Sequence, residues 1–118
     1  MKKGEIITAA DALGKIKIFA IKDGDLKGKL LRIFQKFARI RKDFVEERAS
    51  IVEKLNADVP LDAENRKTAE AEAQKSVNEI LKEEVTIEYE KIALNDILKI
   101  GQDDLTLEDI DDLAPIIE

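Results

Sequence analysis

One long run without proline, residues 26–57, constrains the fold of this chain more than any other feature. Its apolar residues recur mostly at steps of three, four or seven, which places them on one face of a helix. They are Leu26, Leu30, Ile33, Phe34, Phe37, Ile40, Phe44, Val45, Ile51, Val52 and Leu55. Asp25 is a suitable N-cap, so we predict a helix over 25–57. At about 1.5 Å per residue the run is roughly 48 Å long, so it must pack against a partner.

A second helix is predicted over 62–82. Pro60 ends the long helix, because proline cannot continue an α-helix, and Asp62 can cap the next one. This second helix carries a narrow stripe of small and apolar residues, namely Ala69, Ala73, Val77, Ile80 and Leu81. Because the connection is short, the two helices should lie antiparallel. The predicted fold is therefore mainly α, a single domain over 1–118 built as an antiparallel helical hairpin on one long helix.

The N-terminal residues predict a short helix over 8–17. Thr8 and Asp11 have the spacing of a capping box, with Thr8 as the N-cap. Residues 16–21 also contain a two-residue alternation, which is typical of a strand. We favour the helix and keep the strand as the alternative.

A small β element is predicted near the C-terminus, at 84–91. Val85, Ile87 and Tyr89 alternate with polar residues there, which is the pattern of a half-buried strand. Only 2–7 or 16–21 could pair with it inside the chain. If neither does, its free edge is a docking site for another chain. In the acidic segment that follows, 101–118, Thr106 and Asp109 form a second predicted capping box.

Composition argues against several chemistries. The chain has no cysteine and no histidine, so it lacks disulfides, thiolate metal ligands and the commonest general base. Residues 23–28 begin like a calcium-binding loop, but Lys27 and Phe34 stand where that loop needs oxygen ligands. No phosphate-binding or dinucleotide motif occurs. We expect no enzyme, no cofactor and no metal site. No apolar stretch approaches a transmembrane length, so we also expect no membrane partner and a cytosol-like location.

The net charge of −6 is divided unevenly along the chain. Residues 1–60 hold 14 Lys and Arg against 9 Asp and Glu, whereas residues 61–118 hold 6 against 17. The two halves should therefore pack against each other and neutralise much of their field. The basic stripe on the long helix lies opposite the aromatic residues, which argues against a nucleic-acid partner. That stripe is Lys29, Arg32, Lys36 and Arg39.

Acidic residues crowd the second half of the chain. They include Glu83, Glu84, Glu88, Glu90, Asp103, Asp104, Glu108, Asp109, Asp111 and Asp112. Paired carboxylates can bind Mg²⁺, but acids at a helix start are favoured by the helix dipole alone, and we prefer that structural interpretation.

Four segments in this order resemble a family of small uncharacterised proteins of tailed phages and prophages, encoded between tail and lysis genes. The segments are the opening Lys3-Gly4-Glu5-Ile6-Ile7, the Glu46-Glu47-Arg48 stretch of the long helix, the unit 83–92, and an acidic end finishing in Ile116-Ile117-Glu118. The chain departs from the family at Lys22-Asp23-Gly24, where members usually carry Leu-Pro. The resemblance implies a context, the bacterial host cytoplasm or the virion, and it supplies no catalytic residues.

Two functions follow as hypotheses. The first is a non-enzymatic phage accessory protein that acts by protein–protein contact with virion proteins or with itself, in virion (tail) assembly or as a minor component. Its predicted contact residues are Val85, Ile87, Tyr89, Leu113, Ile116 and Ile117. The alternative is an acidic, DNA-mimicking inhibitor of a host defence or DNA-processing protein. In that case binding should weaken steeply with salt.

Overall fold

The computed structural model describes residues 1–100 and 104–118. The described residues form five α-helices: α1 (Lys3–Leu13), α2 (Gly24–Asp58), α3 (Arg66–Leu81), α4 (Leu94–Ile100) and α5 (Leu107–Asp112). Two 3₁₀ turns lie at Ile18–Ala20 and Ala114–Ile116. The molecule measures 57 × 28 × 21 Å, and its long dimension is set by α2. The mainly helical class and the single long helix are thereby confirmed.

Helix α2 begins and ends within one residue of the predicted bounds. Its N-cap is Asp23 rather than Asp25, and the Asp23 carboxylate accepts hydrogen bonds from the amides of Asp25 and Leu26 at 3.0 and 3.2 Å. The helix ends at Asp58, two residues before Pro60. The spacing of its apolar residues identified the buried face, which comprises Leu30, Ile33, Phe37 and Phe44.

Helices α2 and α3 form the predicted hairpin, and Arg66 links the two helices by hydrogen bonds at their turn. Arg66 donates from Nη1 to the carbonyl oxygen of Val59 at 2.8 Å and from Nη2 to Oδ1 of Asn56 at 2.9 Å. The predicted start at residue 62 is wrong, because α3 begins at Arg66 after a turn and its N-cap Asn65 makes no side-chain cap. Within α3 only Val77 is buried, so the outer half of the hairpin is thinly packed.

Helix α1 begins at Lys3, five residues before its predicted start at Thr8. Thr8 is inside it rather than at its cap, and its Oγ1 donates to the carbonyl oxygen of Gly4 at 2.8 Å. Asp11 does not complete a capping box but pairs with Arg41 of α2. The helix ends at Leu13, so the predicted range 8–17 is wrong. Neither the helix nor the strand considered for 16–21 forms, since the only regular structure there is the 3₁₀ turn.

The core lies at one end of the molecule, where α1, the first half of α2, α4 and the C-terminal segment meet. Its buried residues are Ile6, Ala9, Ala10, Ala12, Leu13, Ile16, Ile18, Leu30, Ile33, Phe37, Ile92, Ile97, Leu113 and Ile116. The alanines of α1 permit close approach to its neighbours. At Gly4 an added Cβ would lie 3.3 Å from the carbonyl oxygen of Leu81, so α1 and the end of α3 are nearly in backbone contact.

The predicted β element near the C-terminus is wrong. Over residues 1–100 and 104–118 the structure contains no β-strand, only isolated bridges from Lys2 to Glu84 (antiparallel) and from Ile92 to Ile117 (parallel). Residues 85–91 form no helix or turn, and their alternating burial is that of extended backbone, but both candidate partners adopt other structures. Residues 3–7 belong to α1, and 16–21 contain the 3₁₀ turn. An extended segment without a second strand beside it cannot form a ladder.

Candidate interaction surface

The segment 85–91 is fixed at both ends by backbone hydrogen bonds. At its start the amide of Val85 donates to the carbonyl oxygen of Met1 at 2.7 Å, and the amide of Lys3 donates to that of Glu83 at 3.0 Å. Just past its end the amide of Ile92 donates to the carbonyl oxygen of Ile116 at 2.7 Å. The segment is therefore stretched between the N-terminal and C-terminal parts of the chain.

Side chains hold the middle of the segment against α2 and the C-terminal turn. The Tyr89 ring meets Phe37 edge to face, with centroids 5.4 Å apart and planes at 89°. The Tyr89 hydroxyl donates to the carbonyl oxygen of Pro115 at 2.7 Å, and Lys36 Nζ donates to that of Glu88. Burial raises the pKa of Tyr89, and the negative charge of Glu5 adds to this effect. Tyr89 is therefore neutral at pH 7 and able to donate.

The alternation predicted for this segment appears in its burial. Val85, Ile87 and Tyr89 are half-buried against the core. Thr86, Glu88 and Glu90 point outward and are exposed. The segment thus has the two-sided character of a strand, although its neighbours are helices.

The backbone edge of this segment is open. Within the described part of the chain, none of the six amide groups from Thr86 to Lys91 donates a hydrogen bond to protein. A groove of about 330 Å³ runs beside the segment and is lined by Lys29, Arg32, Ile33, Lys36, Glu88, Tyr89 and Glu90. A run of unpaired amides in extended backbone is a template for another strand.

The six predicted contact residues are brought together, but their side chains face inward. Leu113 and Ile116 are 0% exposed, and the half-buried group is Val85, Ile87, Tyr89 and Ile117. Their contact with a partner stays a prediction. What this surface offers to solvent is the side chains that alternate with the buried ones, on a segment whose amides from Thr86 to Lys91 donate no hydrogen bond within the described structure.

The C-terminal acids are partly used inside the protein. The capping box predicted at Thr106 and Asp109 is confirmed, with Thr106 Oγ1 accepting from the Asp109 amide at 3.1 Å and Asp109 Oδ2 accepting from the Thr106 amide at 2.9 Å. Asp109 is buried, and its Oδ1 lies 2.7 Å from Nζ of Lys15. The hydrogen bond from Lys15 lowers the pKa of Asp109, helped by the one from the Thr106 amide. The same pair raises the pKa of Lys15.

Ion pairs join the basic half to the acidic half, as the charge split predicts. The pairs across the division are the Met1 amino group with Glu84, Lys3 with Glu83, Lys15 with Asp109, and Lys29 with Glu90. Of the acidic residues that a DNA mimic would present, Glu108, Asp111 and the four glutamates of 83–90 are exposed, whereas Asp103 lies outside the described residues. Because several mimic candidates are already paired, the acidic surface is weaker than the sequence alone indicates.

Among residues 1–100 and 104–118, no three side chains of the metal-binding types lie close enough together to hold an ion. In that part of the chain, no helix has the length and apolar character needed to cross a bilayer.

The comparisons with known proteins give no family. The chain matched no protein-family model, no curated protein and no solved structure.

Two parts of this surface are beyond what the sequence pattern could show. The pair between Lys15 and Asp109 joins residues 94 positions apart, and no local spacing signals it. The open edge at 86–91 depends on where residues 2–7 go, and a lead-in strand and a helix start are equally compatible with their composition. The alternation did locate the segment itself.

Proposed function

We propose that this protein is a non-enzymatic accessory protein that acts by protein–protein contact, and that its partner adds an extended segment to the open edge at 86–91. The observation that carries the proposal is that none of the six amides from Thr86 to Lys91 donates a hydrogen bond within the described structure. Successive amides of an extended segment point to opposite edges, so three of them can serve one partner strand. An extended partner can gain affinity by pairing with the amides of this edge that have no partner in the described structure.

Charge selects the chemistry of the partner. The outward side chains of the segment include Glu88 and Glu90, and Glu83 and Glu84 precede it. A second copy of the same segment would place acids opposite acids, which is unfavourable in a strand pair. We therefore expect a partner segment with lysine or arginine at alternate positions. Backbone pairing would provide affinity, and these side chains would provide specificity.

The resemblance to small proteins of tailed phages and prophages supports a biological context for this proposal. In that context the partner is a phage virion protein, and the protein works in virion (tail) assembly or as a minor component. It would act in the bacterial host cytoplasm or on the virion.

The test is affinity capture from phage-infected or prophage-induced cells with a Glu88→Pro variant. Proline removes one amide of the open edge but keeps the Glu88 carbonyl that accepts from Lys36. Proline also favours extended backbone at the preceding residue, and Ile87 lies in the segment whose alternating burial is that of extended backbone. The matched control is Glu88→Ala, which removes the charge and keeps the amide. Circular dichroism on both variants checks that the helices remain.

The proposal expects wild type to recover a tail or other virion protein, Glu88→Pro to lose it, and Glu88→Ala to retain most of it. Equal recovery of the virion protein by Glu88→Pro would show that the open edge is not part of the contact. Recovery of a host nuclease or defence protein, lost at high salt, would instead support the acidic inhibitor.

A further inference from the structure

Helix α2 has an outer face that its own chain covers only in its first half, where Leu31 packs against the core and Ala38 is half-buried. An apolar row runs along it at every seventh residue, Leu31, Ala38, Val45 and Val52, about 100° around the helix from the core row of Leu30, Phe37 and Phe44. Val45 is 50% exposed and Val52 is 43% exposed. This row supplies one of the two apolar positions per heptad of a helix–helix seam, and the second, at 34, 41, 48 and 55, is apolar only at its two ends.

A charged row lies beside the apolar row with the same spacing, and its sign changes halfway. It consists of Arg32, Arg39, Glu46 and Glu53, all of them exposed. Among the described residues, none of these four side chains takes part in an ion pair. The charged residues of α2 as a whole are divided in the same way, with bases in its first half and mostly acids in its second. Residues 27–42 carry seven Lys and Arg and no acid, whereas residues 43–58 carry five acids and two bases.

This order of charges selects one partner and one orientation. If two copies of α2 lie antiparallel, Arg32 faces Glu53 of the other copy and Arg39 faces Glu46. The apolar row pairs in nearly the same register, Leu31 with Val52 and Ala38 with Val45. A parallel two-fold pair would instead place the two charged rows on opposite sides of the seam, where they cannot form these pairs. The antiparallel arrangement satisfies both rows at once.

We propose that two copies of this chain dimerise through the outer face of α2, antiparallel and two-fold symmetric, with the axis near Lys42. A two-fold axis makes every contact occur twice, so a small set of matched residues gives a self-complementary interface. The two Lys42 side chains near the axis are long and exposed, and Glu46 lies one turn further along their own helix. Each lysine can therefore turn away from the other.

The surface at the end of the seam fits this arrangement. Leu31 and Phe34 line an apolar groove at the 3₁₀ turn, and Phe19 stands at its rim with 82% of its side chain exposed. The partner's Val52 would reach this groove. Arg32 of the charged row also lines the groove beside 86–91, so the dimer surface adjoins the open edge there, whereas Arg39 and Glu46 do not line that groove. Variants at Arg39 and Glu46 therefore test dimerisation independently of the proposed function.

The first experiment measures self-association of the full chain by sedimentation velocity, with charge reversals in the seam. Arg39→Glu and Glu46→Arg each place like charges opposite one another twice per dimer, so each should raise the dissociation constant roughly tenfold or more. The double variant Arg39→Glu/Glu46→Arg restores opposite charges across the axis and should recover wild-type association. Lys75→Glu on α3 is the control reversal away from the seam.

The second experiment uses the absence of cysteine from the chain. Lys42→Cys places one thiol near the proposed axis, so mild oxidation should give a covalent dimer. Lys75→Cys should stay monomeric under the same conditions.

Loss of association in both single reversals, recovery in the double variant and crosslinking at Lys42→Cys together support the proposal. A wild-type protein that is monomeric at every concentration overturns it. So does a dimer that tolerates Arg39→Glu, or one in which the double variant fails to recover while circular dichroism shows an intact helix.

Discussion

Ile116→Ala tests whether the C-terminal segment is part of the core. The wild-type side chain is 0% exposed and belongs to the same buried cluster as Leu113 and Ile97. The substitution removes three carbons from this site, which at about 0.8 kcal/mol each corresponds to roughly 2.4 kcal/mol of transfer free energy. The cavity left behind adds to this, so we expect a total loss of about 3 to 4 kcal/mol.

Such a loss is a large part of the stability of a small domain, which is roughly 5 to 15 kcal/mol. The matched control is Leu107→Ala, which removes the same number of carbons from the same segment. Leu107 is 86% exposed, so its loss should cost about 0.5 kcal/mol or less.

Urea unfolding followed by circular dichroism measures both variants. A cost below about 0.5 kcal/mol for Ile116→Ala, or equal costs for the two variants, would refute the packing of this segment. A clear difference would show that Ile116 belongs to the core together with Leu113.

Three further predictions concern stability. Tyr89→Phe removes the hydroxyl that donates to Pro115 and should cost about 1 kcal/mol in urea unfolding, and an unchanged midpoint would contradict the bond. Gly28→Ala should raise the free energy of unfolding by about 0.5 to 1 kcal/mol in the same assay, because alanine favours the helix and its Cβ would meet only the flexible end of the Arg32 side chain. A lower free energy of unfolding would contradict this. The pKa of Asp109 is lowered in the folded protein. Its pair with Lys15 therefore stabilises the fold at pH values above 3.8, the ordinary pKa of the carboxyl group, and this stabilisation is lost as the pH falls through the lowered pKa. Melting temperature should therefore fall more steeply with acid in wild type than in Asp109→Asn, and parallel profiles would exclude the pair.

The long helix could be predicted because its signal is local. Its apolar spacing and Pro60 are both properties of neighbouring residues, and the predicted bounds agree with Gly24–Asp58 to within one residue. The capping box at Thr106 is equally local and was predicted for the same reason. In contrast, Thr8 and Asp11 have the same spacing inside α1, where the threonine bonds to its own helix and the aspartate to Arg41. A four-residue motif cannot distinguish these cases.

The rest of the surface depends on contacts between distant parts of the chain. Alternation at 85–91 correctly gave which side chains face the core, since that depends on the period alone. Whether a second strand lies beside them depends on residues 2–7, which are drawn into α1. In the same way, the sequence pattern placed Ile116 among the contact residues, whereas in the structure it is part of the core because the C-terminal turn packs beside Ile92.

Amide hydrogen exchange at 86–91, followed by NMR, tests the open edge most directly. In the free protein the amides from Thr86 to Lys91 should exchange rapidly, while those of Val85 and Ile92, which are bonded to Met1 and Ile116, should be protected. Addition of a captured virion partner should slow exchange in the middle of the segment. Protection of these amides in the free protein as strong as that of Val85 and Ile92, or no change on binding, would contradict the proposal that this edge receives a partner strand.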